Sequence, residues 1–273
     1  MFISTLLFLF SSLASPQISV IGDELFKLTP LHKGDFKLDI EHEIFGSKDR
    51  QVRRIVFREM MSNDVFILEL THLDPRDNLD GLGYAEIYSG SGPVPTEGFS
   101  GLPIGLHSRH TASGDTSWET KDYCRGWMVW VTYGSAVVDR EHGNRNRVHP
   151  ATGHEAEITE GIARVVLARM IAKECETVSP PTLSGKRMTS AKISPNGTIL
   201  VPLKEWADAA GVTIKENYDM TIELTKGTKK LTIAACCDKA RSGKEKVSLE
   251  DYTVMIGETV YIPVGTIQAR LGS

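Results

Sequence analysis

The sequence predicts an α+β protein of two domains, each a mainly antiparallel sheet packed on one or two helices. Three observations carry this expectation. The chain has 273 residues, and at roughly 150 residues per domain that length favours two cores over one. Pro180–Pro181 opens an aperiodic Ser/Gly/Lys/Arg stretch that cannot continue a helix and suits an exposed connector. On both sides of it, short runs of alternating or β-branched residues outnumber helical patterns. Apolar residues make up 41% and charged residues 24%, an ordinary globular balance that excludes a largely disordered chain, a coiled coil and a polytopic membrane protein.

The chain opens on an apolar run, Leu6 to Phe10, followed by Ser12-Leu13-Ala14. About 20 apolar residues are needed to span a bilayer, so this run has the length of a signal-peptide core instead. Ser12 and Ala14 supply the small residues of a cleavage site. Residues 1–14 are therefore expected to be removed, leaving an extracytoplasmic protein with no membrane span in the mature chain.

Residues 18–178 are expected to form the first domain. Arg54–Arg58, Val65–Leu70 and Trp127–Tyr133 alternate with a period of two and read as strands. Asp80 caps a short helical pattern reaching Ile87. The preceding Asp74–Gly81 segment resembles a calcium loop until its register is tested. With Gly81 at the sixth position, Arg76 falls at the first and Ile87 at the twelfth, where carboxylates are required. Trp127 shares its strand face with Val129, Val131 and Tyr133, whereas Trp130 points the other way with Met128. Burial of both tryptophans is favoured over a stacking platform. The half closes on a helix in which Ile162, Val165, Val166, Arg169 and Met170 recur at helical spacing, with Thr159 as N-cap and Lys173 in the last turn.

Residues 179–187 are expected to be a linker, and charge changes sign across it. Up to Pro180 there are 18 basic and 25 acidic residues; beyond it, 13 and 10. The halves therefore carry −7 and +3. Residues 188–273 form the second expected domain, which contains an internal repeat. Thr198-Ile-Leu-Val-Pro202-Leu through Gly211 is echoed by Thr259-Val-Tyr-Ile-Pro263-Val through Gly272, at an offset of 61 (263 − 202, 272 − 211). Each copy reads strand, Pro at the first helical turn, amphipathic helix, terminal Gly. Between the copies, Met220–Thr225 and Lys230–Ala235 flank a hairpin turn, and Lys244–Leu249 is a further strand.

Leu200-Val-Pro-Leu-Lys with Ala207–Gly211, Val212-Thr-Ile-Lys with Met220–Leu224, and Tyr261-Ile-Pro-Val with Leu271-Gly272 resemble the copper amine oxidase-like N-terminal domain. That resemblance covers roughly Lys186 to Ser273. It implies a small antiparallel sheet wrapped on a helix, of a kind common in exported bacterial proteins. It does not imply copper chemistry, because the oxidases carry their metal and quinone in a separate, larger domain.

No catalytic, cofactor-binding or metal-ligating residue is assigned from the sequence, and no cofactor is expected. The eight histidines, His32, His42, His72, His107, His110, His142, His149 and His154, all precede the repeat, and none falls in an H-E-x-x-H pattern. Cys124 and Cys175 are a conceivable disulfide or two buried thiols. Cys236 and Cys237, being adjacent, are expected on opposite faces of a strand. A net charge of −4 offers no global attraction for nucleic acid.

The function these features favour is an exported, non-catalytic cell-envelope protein. Its C-terminal domain would attach to a cell-wall polymer or envelope protein through the lysine-bearing loops at Lys226–Lys230 and Lys239–Lys246. Two alternatives remain at this level. One is an exported hydrolase, metal-dependent or not, with its site around His107, His110 and His142–His154. The other is a small-ligand sensor with the Trp-bearing sheet as pocket floor.

Overall fold

The alternating runs of the first half build one antiparallel sheet. A computed structural model describes residues 36–37, 43–47, 50–59, 65–72, 106–112, 115–125, 127–134 and 155–272. The sheet comprises β1 (Phe36–Lys37), β2 (Glu43–Ser47), β3 (Arg50–Glu59), β4 (Val65–His72), β5 (Leu106–Ala112), β6 (Asp115–Cys124) and β7 (Trp127–Gly134). Their order is β1-β3-β4-β7-β6-β5, with β2 also paired to β3. Register places Ile55 opposite Leu68, and Leu68 and Leu70 opposite Val131 and Val129. These five side chains are buried, as is Trp127 on the same face. Trp130, on the other face, is half-buried. The two tryptophans do point apart, but the expectation that both are buried holds for Trp127 alone. The proposed leader, the Asp74–Ile87 segment and His142, His149 and His154 lie outside the described residues.

Helix α1 (Glu155–Ala172) packs against β6 and β7 on one side. Ile162 through Ala168 are each 1% exposed or less, so the helix is covered all round and is not one-sided. The reason is a second partner, the C-terminal half. Thr159 is not the N-cap: the helix begins a turn earlier, at Glu155, and the Thr120 hydroxyl donates to that of Thr159 at 3.1 Å. Lys173 follows the helix end, and Arg169 occupies its last turn. The Arg169 Nε donates to the Gly257 carbonyl at 3.0 Å. Burial lowers the pKa of this guanidinium, and Glu258 acts against that shift. Within α1, Glu160 and Arg164 form a buried ion pair at 2.7 Å.

Beyond α1 the chain forms β8 (Glu176–Val178), β9 (Thr182–Leu183), β10 (Lys186–Arg187), β11 (Ala191–Ile193), β12 (Ile199–Pro202) and α2 (Leu203–Ala210). It continues through β13 (Thr213–Glu216), β14 (Thr221–Lys226), β15 (Lys229–Ala234), β16 (Lys239–Ser242) and β17 (Glu245–Ser248). It closes with β18 (Val254–Ile256), β19 (Thr259–Pro263) and α3 (Val264–Leu271). The stretch read as linker carries the β9–β10 hairpin, largely exposed, while Met188 just beyond it is buried. Two five-stranded antiparallel sheets result, ordered β18-β19-β12-β11-β8 and β13-β14-β15-β16-β17. With three helices and several antiparallel sheets among the described residues, the protein is α+β.

The internal repeat acquires a geometric meaning in the first of these sheets. β12 and β19 pair antiparallel, with Leu200 opposite Pro263, Val201 opposite Ile262 and Pro202 opposite Tyr261. Val201 and Ile262 are the repeat equivalents of one another (262 − 201 = 61). The two copies are therefore related by a local pseudo-twofold axis through that pair. Each copy then turns into a helix of eight residues. Pro202 and Pro263 sit at the N-cap with extended ψ of 121° and 118°, one position earlier than the first helical turn. There they end a strand, a place where a missing N–H is tolerated. Gly211 and Gly272 end the helices at φ of 67° and 71°, the left-handed conformation that glycine takes without penalty. In α2, Leu203, Trp206, Ala207 and Ala210 form the buried stripe.

Cys236 and Cys237 are not on a strand. They lie in the turn after β15, and Cys236 has φ of 56°. A residue in that conformation leaves the pleat, so alternation no longer applies. All four cysteines carry free thiols.

Candidate binding face

The β13–β17 sheet has two unlike faces, as a two-residue period allows. Ile222, Leu224, Leu231, Ile233, Ala240 and Val247 point inward and are buried. Helix α3 packs against β15 on that side. Its end is pinned by Arg270, whose two terminal nitrogens reach the Glu245 carboxylate at 3.0 and 2.8 Å. The Lys226 ammonium donates to the Gly272 carbonyl at 3.4 Å.

The outer face carries the complementary set. Register aligns Lys215 with Glu223, Glu223 with Thr232, Thr232 with Arg241, and Arg241 with Lys246. This is one polar row across all five strands, about 19 Å long at the usual ~4.8 Å strand spacing. Lys230 and Lys239, two residues from Thr232 and Arg241, share that face. Five basic side chains thus stand against two carboxylates, Glu223, which the Lys215 ammonium approaches at 3.4 Å, and Asp238, 3.5 Å from the Lys239 ammonium. The Arg241 Nε donates to the Gly243 carbonyl at 2.6 Å, which ties its guanidinium to the β16–β17 turn. Lys239 donates to Ser248 Oγ at 3.0 Å. A groove of about 360 Å³ runs between Asn217, Glu223, Lys230, Thr232, Arg241 and Gly243.

The structure corrects the loop setting of Lys239, whereas Lys230 and Lys246, counted with the loops, also belong to stretches read as strands. Lys230, Lys239 and Lys246 lie within β15, β16 and β17 and are displayed on a sheet face. Strand β16 and its Arg241 escaped the sequence reading altogether. Lys239-Ala-Arg-Ser contains one apolar residue, so its only signal was the alternation of Ala240 with charged neighbours.

A second polar cluster joins the two halves. Arg125, in the β6–β7 turn, reaches Asp251 Oδ1 at 2.6 Å and Glu174 Oε2 at 3.9 Å. The Ser194 hydroxyl donates to Asp251 Oδ2, and the Tyr252 amide donates to Oδ1 at 2.8 Å. The guanidinium lies over the Tyr252 ring, 5.4 Å from its centre. The Trp127 indole N–H points to Glu174 at 3.4 Å. Burial raises the pKa of the Tyr252 phenol, with Cys124, Asp238 and Cys236 adding to the shift and Arg125 opposing it. Burial likewise raises that of the Cys175 thiol, again against Arg125. Through Arg125 and Asp251 the β6–β7 turn is thus tied to the C-terminal half, as befits a joint.

The histidines singled out from the sequence do not assemble into a described site. His72 sits at the end of β4 with its ring edge-on to Trp127, centres 4.8 Å apart. His107 and His110 lie in β5, in register with Thr120 and Ser117 of β6. Among the described residues, no three His, Cys, Asp or Glu side chains group as metal donors. No helix among them is long and apolar enough to cross a membrane.

Residues 182–273 match the family model of the copper amine oxidase N-terminal domain. The match covers the C-terminal third of the chain, the part that carries the strand–Pro–helix–Gly repeat. No curated protein and no solved structure matches the chain. The family's name suggests copper, but the donor set does not fit it. Residues 182–273 contain no histidine. The thiols of Cys236 and Cys237 lie in one turn, where Cys237 Sγ takes the Lys239 amide at 3.4 Å. Two thiolates alone make a poor closed site for a soft ion.

Proposed function

We propose that this chain is an exported, non-catalytic protein of the bacterial cell envelope, separated from its leader after Ala14. In this reading it has two domains, 18–178 and 188–273, joined across 179–187, with the second as the attachment module. The observation supporting it is the two-faced sheet. One side of β13–β17 is closed by α3, and the other is left polar, basic and open. A surface on which polar side chains are spread across five strands suits contact with an extended partner better than enclosure of a small substrate. The basic balance of the module, +3 against −7 before it, directs that contact toward an anionic partner.

Sedimentation of the purified full chain with isolated cell envelope tests this reading. Retention that weakens between low and high salt is the expected result. A chain that stays in the supernatant at every ionic strength would remove the attachment role.

A further inference from the structure

The outer face of β13–β17 has a chemistry more specific than positive charge. We propose that it is the binding surface for an acidic glycan, a hydroxylated polymer with anionic groups spaced along it; this rests on the attachment reading above. Three features carry the assignment. The first is length: the row from Lys215 to Lys246 crosses five strands, which spans several sugar units and exceeds a single small anion. The second is charge spacing. Lys230 and Arg241 flank the groove, and Arg241 is held in place by its bond to the Gly243 carbonyl. A fixed guanidinium is suited to planar carboxylate or phosphate recognition. The third is the presence of acceptors between the cations. Glu223, Asn217 and Thr232 line the same groove. The Glu223 carboxylate accepts hydrogen bonds from sugar hydroxyls, and the Asn217 amide oxygen and Thr232 hydroxyl can do the same.

The face also lacks what other polyanions require. Single-stranded nucleic acids are held by aromatic side chains on which bases stack. The residues that line this groove and its row are Lys, Arg, Glu, Asn, Thr and Gly, without an aromatic ring. An anionic bilayer draws in apolar as well as basic side chains, and no apolar side chain stands in the row.

The test is affinity electrophoresis of the full-length chain through gels containing polygalacturonate, neutral dextran, polydeoxythymidylate or phosphatidylglycerol vesicles. Retardation by polygalacturonate, relieved by salt and absent with dextran, is the expected result. The pair Lys230→Glu with Arg241→Glu should weaken it by about tenfold or more. Because Arg241 also braces a turn, the pair Lys230→Glu with Lys246→Glu should give a similar loss with the turn bond kept. The pair Lys186→Glu with Lys204→Glu changes net charge equally, away from the face, and should leave retardation intact. Equal loss in that control would overturn the face. Stronger retardation by polydeoxythymidylate or vesicles than by polygalacturonate would overturn the ligand class. Retention on cell envelope without any response to polygalacturonate would sink the glycan inference alone, whereas loss of both would sink the attachment reading as well.

Discussion

Asp251 receives Arg125 from the first half and Ser194 from the second, and its side chain is 1% exposed. A carboxylate taken this far out of water is tolerable only while its partners remain. Asp251→Ala leaves the Arg125 guanidinium, itself 15% exposed, without its closest counter-charge. We expect a loss of about 3 kcal/mol in urea unfolding. The double variant Arg125→Leu with Asp251→Leu should lose less than the two single changes together, because no orphaned charge is left. Strict additivity would show that the pair is not coupled. The same cluster sets an alkaline limit. Folding holds the Cys175 thiol and Tyr252 phenol protonated above their ordinary values of 9.0 and 10.0. As pH rises, the unfolded chain therefore loses these protons first, and the folded state loses its advantage. That stabilisation is complete below about pH 9 and drains away above it. The urea midpoint should hold steady to about pH 8.5 and fall beyond about pH 9. Tyr252→Phe should flatten the part of the fall that begins near pH 10, and a midpoint unchanged to about pH 11 would contradict both shifts.

At the scale of elements, Gly161 decides how α1 meets the module. A Cβ built there would fall well inside contact distance of the Tyr218 carbonyl oxygen, and backbone cannot swing aside as a side-chain tip can. Gly161→Ala should cost about 1–3 kcal/mol despite the better helix propensity of alanine. Thermal melting of that variant provides the measurement, and a raised midpoint would mean the loop yields freely. Nothing in the sequence marked this contact, because Tyr218 lies 57 residues away (218 − 161). Legibility followed the same line throughout. β3, β4 and β7 were readable from alternation, and α2 and α3 from Pro, amphipathic spacing and Gly, all of which are local signals. The Thr159 cap failed because the helix extends one turn back to Glu155, leaving Thr159 within the helix with its hydroxyl paired to that of Thr120. The Cys236–Cys237 strand failed because a positive φ at a non-glycine residue has no sequence signature. The basic face was half legible. Its lysines could be counted, but their common side depends on the register of five strands, and β16 is too polar to announce itself.

At the scale of the whole molecule, α1 belongs to both halves. Thr159 touches β6, whereas Gly161 abuts Tyr218. Two residues turn a helix by about 200°, so these are opposite faces. Ala163, Val166 and Met170 continue the first face by helical spacing, and Val165, Ala168 and Arg169 the second. One apolar cluster accordingly runs from Ile55 and Leu68 through α1 to Leu200, Trp206 and Leu271. The family match begins at residue 182, after both α1 and β8, although β8 is a paired strand of the module's own sheet. A fragment of residues 182–273 would lack that edge strand and expose the surface against which α1 lies. Its net of +3 would then no longer be offset by the acidic half. We expect this fragment to unfold without a cooperative transition, while the full chain unfolds in a single step at which all tryptophan signals change together. Trp127 reports the first half and Trp206, fully buried, the second. Variants retaining one of these reporters, with the other three tryptophans replaced by Phe, should therefore share a urea midpoint. Distinct midpoints, or a fragment 182–273 that melts cooperatively at the temperature of the full chain, would show that the module stands alone and that α1 merely rests on it.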